Sequence, residues 1–226
     1  MLLHIPGVLR SEQLQDFRQR LEKASWADGR HSAGYLSQGV KNNNQLADAD
    51  PTGISLGNEI LDALDGNPEF TSAALPHKIV SPLFNRYGDN QDYGRHIDGA
   101  IRPVGDGRTR VRTDISATLF LSASEDYDGG DLVIEDTYGP RRIKLAAGDM
   151  VLYPGTSVHH VEPVTRGTRL AAFFWIQSMV RNDADRTLLF QLDKTIQSLA
   201  ADHADHPALT DLAGVYHNLM RRWADA

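Results

Sequence analysis

Apolar positions along the chain follow two periods. Behind Ser11, a candidate N-cap, Leu14, Phe17 and Leu21 recur at helical spacing with Glu12 in the first turn, predicting a first helix to about Ala24. A second short helix is predicted around Ile54 to Leu64, presenting Ile54, Ile60, Leu61 and Leu64 and ended by Gly66 and Pro68. From about Lys78 the texture changes to short runs rich in β-branched and aromatic residues. These runs are KIVSPLFNRY, TDISATLFLS, DLVIED, RRIKLA, DMVLYP, SVHHVEPV and GTRLAAFFWIQS, with turn signals such as YGDN, YDGGD, TYGP, AAGD and YPGT between them. Ile115, Ala117, Leu119 and Leu121 alternate with more polar neighbours, as on a strand with one apolar face. About seven or eight such strands suit a sandwich or jelly roll. After Ser178 helical spacing returns, through Leu188, Leu192, Ile196 and Leu199 and then Leu212, Val215, Leu219 and Trp223. ADHADHP interrupts it, so a C-terminal helical hairpin is expected. The expected organisation is a mainly β protein with flanking helices: a helical or mixed support region over 1–77, a β domain over 78–178 and a helical extension over 179–226.

Composition narrows the chemistry. With 226 residues, 41% hydrophobic and 23% charged, the chain has the make-up of one principal globular domain. A net charge of -7 opposes a phosphate-neutralising surface, so no nucleic-acid partner is expected; RVRT, with Arg110 and Arg112, is the one local basic cluster and reads as a loop edge. No apolar run approaches the roughly 20 residues needed to cross a bilayer, and the N-terminus lacks a secretory pattern. No membrane partner is expected, and the cytoplasm follows by default. The absence of cysteine removes disulfides, thiolate nucleophiles and iron–sulfur clusters, so any metal falls to histidine and carboxylate.

One constellation answers that description. In YGRHIDGA, His96 and Asp98 on a strand would share a face and could share a metal; alone, the pair also fits polar surface residues near a turn. A third ligand is offered by YPGTSVHHVEPV, where His159 and His160 must face opposite sides of a regular strand, so only one can join. Two histidines and a carboxylate form a facial triad, leaving three positions for a bidentate 2-oxo acid and dioxygen. Arg169, in GTRLAAFF, offers a guanidinium suited to a distal carboxylate, and its apolar neighbours argue against an ordinary surface arginine. Asn85, Thr113, Asp114, Ser116 and Thr118 are polar positions of neighbouring strands, explained equally by alternation on a half-exposed strand. Trp175 reads as core, and His203 and His206 as a solvated linker.

Together these residues carry a resemblance. Tyr87, Tyr93, the His96-x-Asp98 pair, the DGGDL turn from Asp128 to Leu132, GDMVLYP, His159 with Pro163 and Val164, and Arg169 ten positions after His159 resemble the prolyl-4-hydroxylase-like branch of the Fe(II)/2-oxoglutarate dioxygenases. The FFWIQS run and the helical tail are most similar to the bacterial PKHD-type hydroxylases. The resemblance covers Lys78 to Ser178 most strongly. It implies a double-stranded β-helix and a hydroxylase that decarboxylates 2-oxoglutarate to succinate and CO2. His96, Asp98 and His159 would be the iron ligands and catalytic residues. Arg169 and Tyr87 would bind the cosubstrate, and ascorbate would keep the iron reduced. Animal prolyl hydroxylases have lysine where this chain has Arg169, which turns the expectation away from a prolyl substrate. The partner is then an unidentified hydroxylation substrate, a small molecule or a peptide. A link to iron uptake and a homo-oligomer built through the C-terminal helices complete the expectations. The rival reading is a non-catalytic cupin-like module that senses iron or a 2-oxo acid.

Overall fold

The computed structural model describes residues 1–32, 34, 37–105 and 107–225. Among them, two antiparallel sheets face each other. The larger runs, from edge to edge, Leu3–Ile5, Met150–Pro154, Ile115–Phe120, Arg169–Ser178, Leu83–Tyr87, Asn44–Leu46 and Trp26–Asp28, with Pro76–Ile79 also paired to Arg169–Ser178. The smaller runs Gly139–Ile143, Leu132–Asp136, His159–Val161, Asp92–His96 and Lys41–Asn42. Sequence-distant strands alternate as neighbours, which is the jelly-roll arrangement. The region before Lys78 therefore contributes strands to both sheets as well as helices, and its short strands carry too few alternating positions to be read from sequence.

Both faces of the larger sheet are covered, and this sets the roles of alternate residues. Ile115, Ala117, Leu119, Met150, Leu152, Ala172, Phe174 and Ile176 pack against the helices, in one cluster with Phe17, Leu56, Ile60 and Phe70. Tyr87, Phe120, Val151 and Tyr153 point the other way, meeting Leu132, Ile134 and Val161 of the smaller sheet. Each fully buried large apolar side chain contributes roughly 1.5–3 kcal/mol, so this double burial anchors the strands that carry the site.

Helix α1 (Ser11–Glu22) buries Leu14, Phe17 and Leu21. Its N-cap is Arg10 rather than Ser11: the extended backbone there lets the Arg10 amide donate to Gln13 Oε1 at 3.1 Å. Helix α2 (Pro51–Asp65) starts earlier than its apolar spacing indicated, because Asp50 accepts from the Thr52 and Gly53 amides and Pro51 fits the first turn. Pro68 does not simply end that helix. It begins helix α3 (Pro68–Ala74), capped by Asn67.

Helices α4 (Asp183–Asp202) and α5 (Ala208–Trp223) form the C-terminal hairpin, with His203 and His206 in the break between them. The apolar contact surface differs from the expected one. Leu188 and Val215 are exposed, while Leu189 packs with Leu75, Val180, Tyr216, Leu219, Met220 and Trp223. RVRT is also no loop edge: Thr109–Arg112 is a strand paired with Ile101–Val104. No helix among the described residues is long and apolar enough to cross a membrane.

Candidate active site

His96 ends the strand Asp92–His96 and His159 opens the strand His159–Val161, and the two are paired in register across the smaller sheet. Their ring centroids lie 4.2 Å apart. Asp98 is reached differently from the expectation. The strand stops at His96, so strand alternation does not bring Asp98 beside it; the carboxylate is held from the opposite sheet, where Ser116 Oγ donates to Asp98 Oδ2 at 2.7 Å. His96 Nε2 stands 4.0 Å from Asp98 Oδ1 and His159 Nε2 stands 3.9 Å from Asp98 Oδ2. One ligand atom from each of the three residues lies within 4.8 Å of the others, the one such His, Asp, Glu or Cys group among the described residues.

The imidazoles are oriented by their other nitrogens. His96 Nδ1 meets the Gly94 carbonyl at 2.8 Å and His159 Nδ1 meets the Ser157 carbonyl at 3.0 Å, contacts that place the proton on Nδ1 and leave the Nε2 lone pairs free. Tyr93 stacks on His96 with centroids 3.6 Å apart, and Tyr153 meets His159 edge-on at 5.1 Å. Burial, and then His159, lower the His96 pKa well below the usual imidazole range, so its ring is neutral at pH 7. His160 turns to the other face, opposite Val133. Two imidazoles and one carboxylate are donors suited to Fe(II).

Arg169 begins the long strand Arg169–Ser178, directly opposite Tyr87. It is 1% exposed, yet no carboxylate among the described residues pairs with it, and its Nε has no hydrogen-bond partner. Its guanidinium carbon lies 5.3 Å from the Tyr87 ring centroid and 5.1 Å from that of Phe120. Tyr127 Oη and Asn85 Oδ1 are buried beside this region and also lack partners. A buried cation without a counter-charge is costly, so these residues fit an anion bound among them. Burial pushes the Tyr87 pKa up to about 12, which keeps it a neutral phenol able to donate.

The DGGDL turn makes room for that arginine. Gly129 and Gly130 have φ of 71° and 67°, and a Cβ on Gly130 would sit 3.1 Å from Arg169 Cδ and 2.8 Å from a Val164 methyl. Sequence reasoning found the turn but missed Tyr127, which the pattern Tyr-Asp-Gly-Gly-Asp carries just before it.

A cavity of about 320 Å³ joins the two groups and is lined by the triad, Arg169, Tyr87, Tyr93 and residues nearer its mouth. Of the polar candidates, Asn85, Ser116 and Thr118 line it. Thr113 and Asp114 do not. The Thr113 hydroxyl donates to the Gly99 carbonyl, and Asp114 holds Arg112 at 2.6 Å and accepts from the Ser178 amide. Trp175, read as core, is both buried and part of the cavity wall, because the inner face of its strand borders the opening.

Comparison with known proteins agrees with this architecture. The 2OG-Fe(II) oxygenase superfamily model matches residues 82–177, and the PKHD-type hydroxylase C-terminal domain matches 183–225. A PKHD-type hydroxylase of Pseudomonas putida KT2440 is 56% identical over 225 residues, and PKHD-type hydroxylase PiuC of Pseudomonas aeruginosa PAO1 is 55% identical, each match covering 100% of both chains. Among solved structures, a Trichoplax adhaerens prolyl hydroxylase bound to a hypoxia inducible factor peptide fragment aligns with a TM-score of 0.55 at 14% identity, over 83% of this chain and 86% of that one. HygX of Streptomyces hygroscopicus, with nickel, 2-oxoglutarate and hygromycin B, aligns with a TM-score of 0.53 at 18% identity, over 78% of this chain and 82% of that one. These two likenesses concern the fold. Full-length identity above one half carries the assignment further: the chain belongs to the PKHD-type hydroxylases, Fe(II)- and 2-oxoglutarate-dependent dioxygenases of the 2OG-Fe(II) oxygenase superfamily.

Proposed function

We propose that His96, Asp98 and His159 hold Fe(II), that Arg169 receives the distal carboxylate of 2-oxoglutarate, and that the enzyme hydroxylates a C–H bond of a small-molecule or peptide substrate. The observation carrying this reading is the buried, unpaired Arg169 in the same cavity as three converging metal donors. Bound Fe(II) supplies the redox chemistry by which 2-oxoglutarate, dioxygen and R–H become succinate, CO2 and R–OH.

The chain's own residues do the rest. The Gly94 and Ser157 carbonyls fix the two imidazoles with Nε2 free, and Ser116 holds one oxygen of Asp98, so the donors are oriented before a metal arrives. Arg169 offers a planar, permanently charged fork to a carboxylate, and the neutral Tyr87 phenol is placed to donate to the same group. Phe120, Tyr127 and Val164 pack around this end, where their apolar surface excludes water and strengthens the charge pairing.

Ascorbate as reductant and a role in iron uptake belong to the same proposal and rest on the family resemblance; a cytoplasmic location belongs to it as the default reading of the sequence. Supplying Fe(II), oxygen and 2-oxoglutarate, with and without ascorbate, and measuring succinate tests the activity without knowing the substrate. Slow succinate formation by the parent and none by Asp98→Ala is expected. Equal yields from the two would favour the non-catalytic sensor.

A further inference from the structure

The cavity also holds two cations that the reaction described above does not use. Lys41, from the strand Lys41–Asn42, is 6% exposed and lines the cavity. Its ammonium donates to Ser32 Oγ at 2.8 Å and Gln45 Oε1 at 3.0 Å. That leaves one N–H without an acceptor among the described residues, and no carboxylate among them lies within ion-pair distance. Arg102 lines the same opening with its guanidinium carbon 4.3 Å from the Trp175 ring centroid. Its one ion-pair neighbour among the described residues is Asp48 at 3.7 Å, a side chain 68% exposed. Beside the cations lie Phe173 and Trp175, edge to face at 5.6 Å, with Lys41 Nζ 6.0 Å from the Phe173 centroid.

Charge matching then identifies what the mouth lacks. Among the described residues, the four charged ones lining the cavity are Lys41, Asp98, Arg102 and Arg169. With Fe(II) and 2-oxoglutarate in place, the inner carboxylates, the metal and Arg169 offset one another, while Lys41 and Arg102 keep their charge. A buried ammonium without a counter-ion is disfavoured, and burial followed by the proximity of Arg102 lowers the Lys41 pKa to about 8. In a chain of net charge -7, a cationic opening is also a local reversal of sign, which concentrates anions at the cavity.

We propose that Lys41 and Arg102 form the recognition subsite for the substrate to be hydroxylated, and that this substrate is an organic anion whose carboxylate they bind while its body packs on Phe173 and Trp175. This deepens the proposed function and rests on it, since 2-oxoglutarate must already occupy Arg169.

The test uses the full chain, anaerobic and loaded with Fe(II) and saturating 2-oxoglutarate, with benzoate and benzamide as probes of equal shape and different charge. Fe(II) and 2-oxoglutarate binding to parent and variants is measured first by calorimetry, establishing that the inner site is assembled; the probes are then titrated. Benzoate should bind at least about tenfold more tightly than benzamide, the scale of one charge-assisted hydrogen bond. Arg102→Gln and Lys41→Met should each reduce that ratio, and the double variant should bring it to about one. Arg102→Lys should retain part of it, which separates charge recognition from loss of packing on Trp175. Equal affinities in the parent, or a ratio unchanged in Arg102→Gln and the double variant, overturn the assignment. Failure of the parent to bind 2-oxoglutarate removes the reading beneath the assignment, and the assignment with it.

Discussion

His96 and His159 are direct cross-strand partners, paired at the edge of an irregularity that shifts the register before Val161 meets Tyr93. His160, one position on, lies opposite Val133 and does not line the cavity, so strand alternation separates the proposed ligand from its neighbour. His96→Ala, Asp98→Ala and His159→Ala are each expected to lower Fe(II) affinity by at least about tenfold, whereas His160→Ala should leave it within about twofold of the parent. Calorimetry on the four variants checks this; a loss confined to His160→Ala would reverse the assignment.

Replacing Arg169 by leucine removes the buried cation and keeps the metal donors. The 2-oxoglutarate requirement should rise by on the order of 2–5 kcal/mol, the cost of leaving a buried carboxylate without its partner, while iron content stays near that of the parent. Arg169→Lys should fall between the two. An unchanged 2-oxoglutarate Kd in Arg169→Leu would exclude this residue from cosubstrate binding.

Ser116 reaches Asp98 from the opposite sheet, and its hydroxyl touches neither histidine ring by hydrogen bond. Ser116→Ala should weaken Fe(II) binding by roughly 10–100-fold, as loss of an outer hydrogen bond to a metal ligand does elsewhere, with little change in melting temperature. Ser116→Thr, which keeps the hydroxyl, should recover much of the affinity. Parent-like iron binding in Ser116→Ala would mean that Asp98 is held in place without it.

Ser116 stands out in the sequence only as one of several polar strand positions, and why its contact with Asp98 is not legible there is informative. TDISATLFLS alternates cleanly, and a strand with polar alternate residues is read as half-exposed; here both faces are buried, one against the helices and the other against the cavity. The β texture from Lys78 to Ser178 was legible because it rests on local periodicity, and the grouping of His96, Asp98, His159 and Arg169 in one cavity was expected from the motifs that carry the family resemblance. Lys41 and Tyr127 were not, since their importance arises only when Lys41–Asn42 pairs beside Tyr93 and when the DGGDL turn folds against Val164. Asp98 was identified for a geometric reason that does not hold: the strand ends at His96.

Gly130 tests the role of that turn. Gly130→Ala combines an unfavourable positive φ with a Cβ crowded against Val164, Tyr127 and Arg169, so it should lower the melting temperature and weaken 2-oxoglutarate binding together. Gly139, also at positive φ but in open space where an added Cβ would meet nothing within 4 Å, provides the contrast. Gly139→Ala should affect stability alone.

The C-terminal hairpin covers Leu75 and Val180 and ties its end back through a bridge between Val180 and Ala224. A chain ending at Arg181 would expose those residues, and two such helices have little stability apart from their docking surface. Its melting temperature should fall measurably and its tendency to aggregate should rise. A truncated protein with unchanged melting temperature and unchanged mass in solution would show that the hairpin is dispensable.

Arg169, Phe173 and Trp175 project from alternate positions on one face of a single ten-residue strand. At about 3.3 Å of rise per residue, roughly 20 Å of rigid backbone separates the first from the last. That length is covalent and does not change when side chains do. Evolution can therefore exchange the residues at the outer end while the inner end stays fixed, so that new substrates are acquired without rebuilding the oxidising machinery. A strand of this kind is a calibrated arm, with conservation expected at one end and diversification at the other.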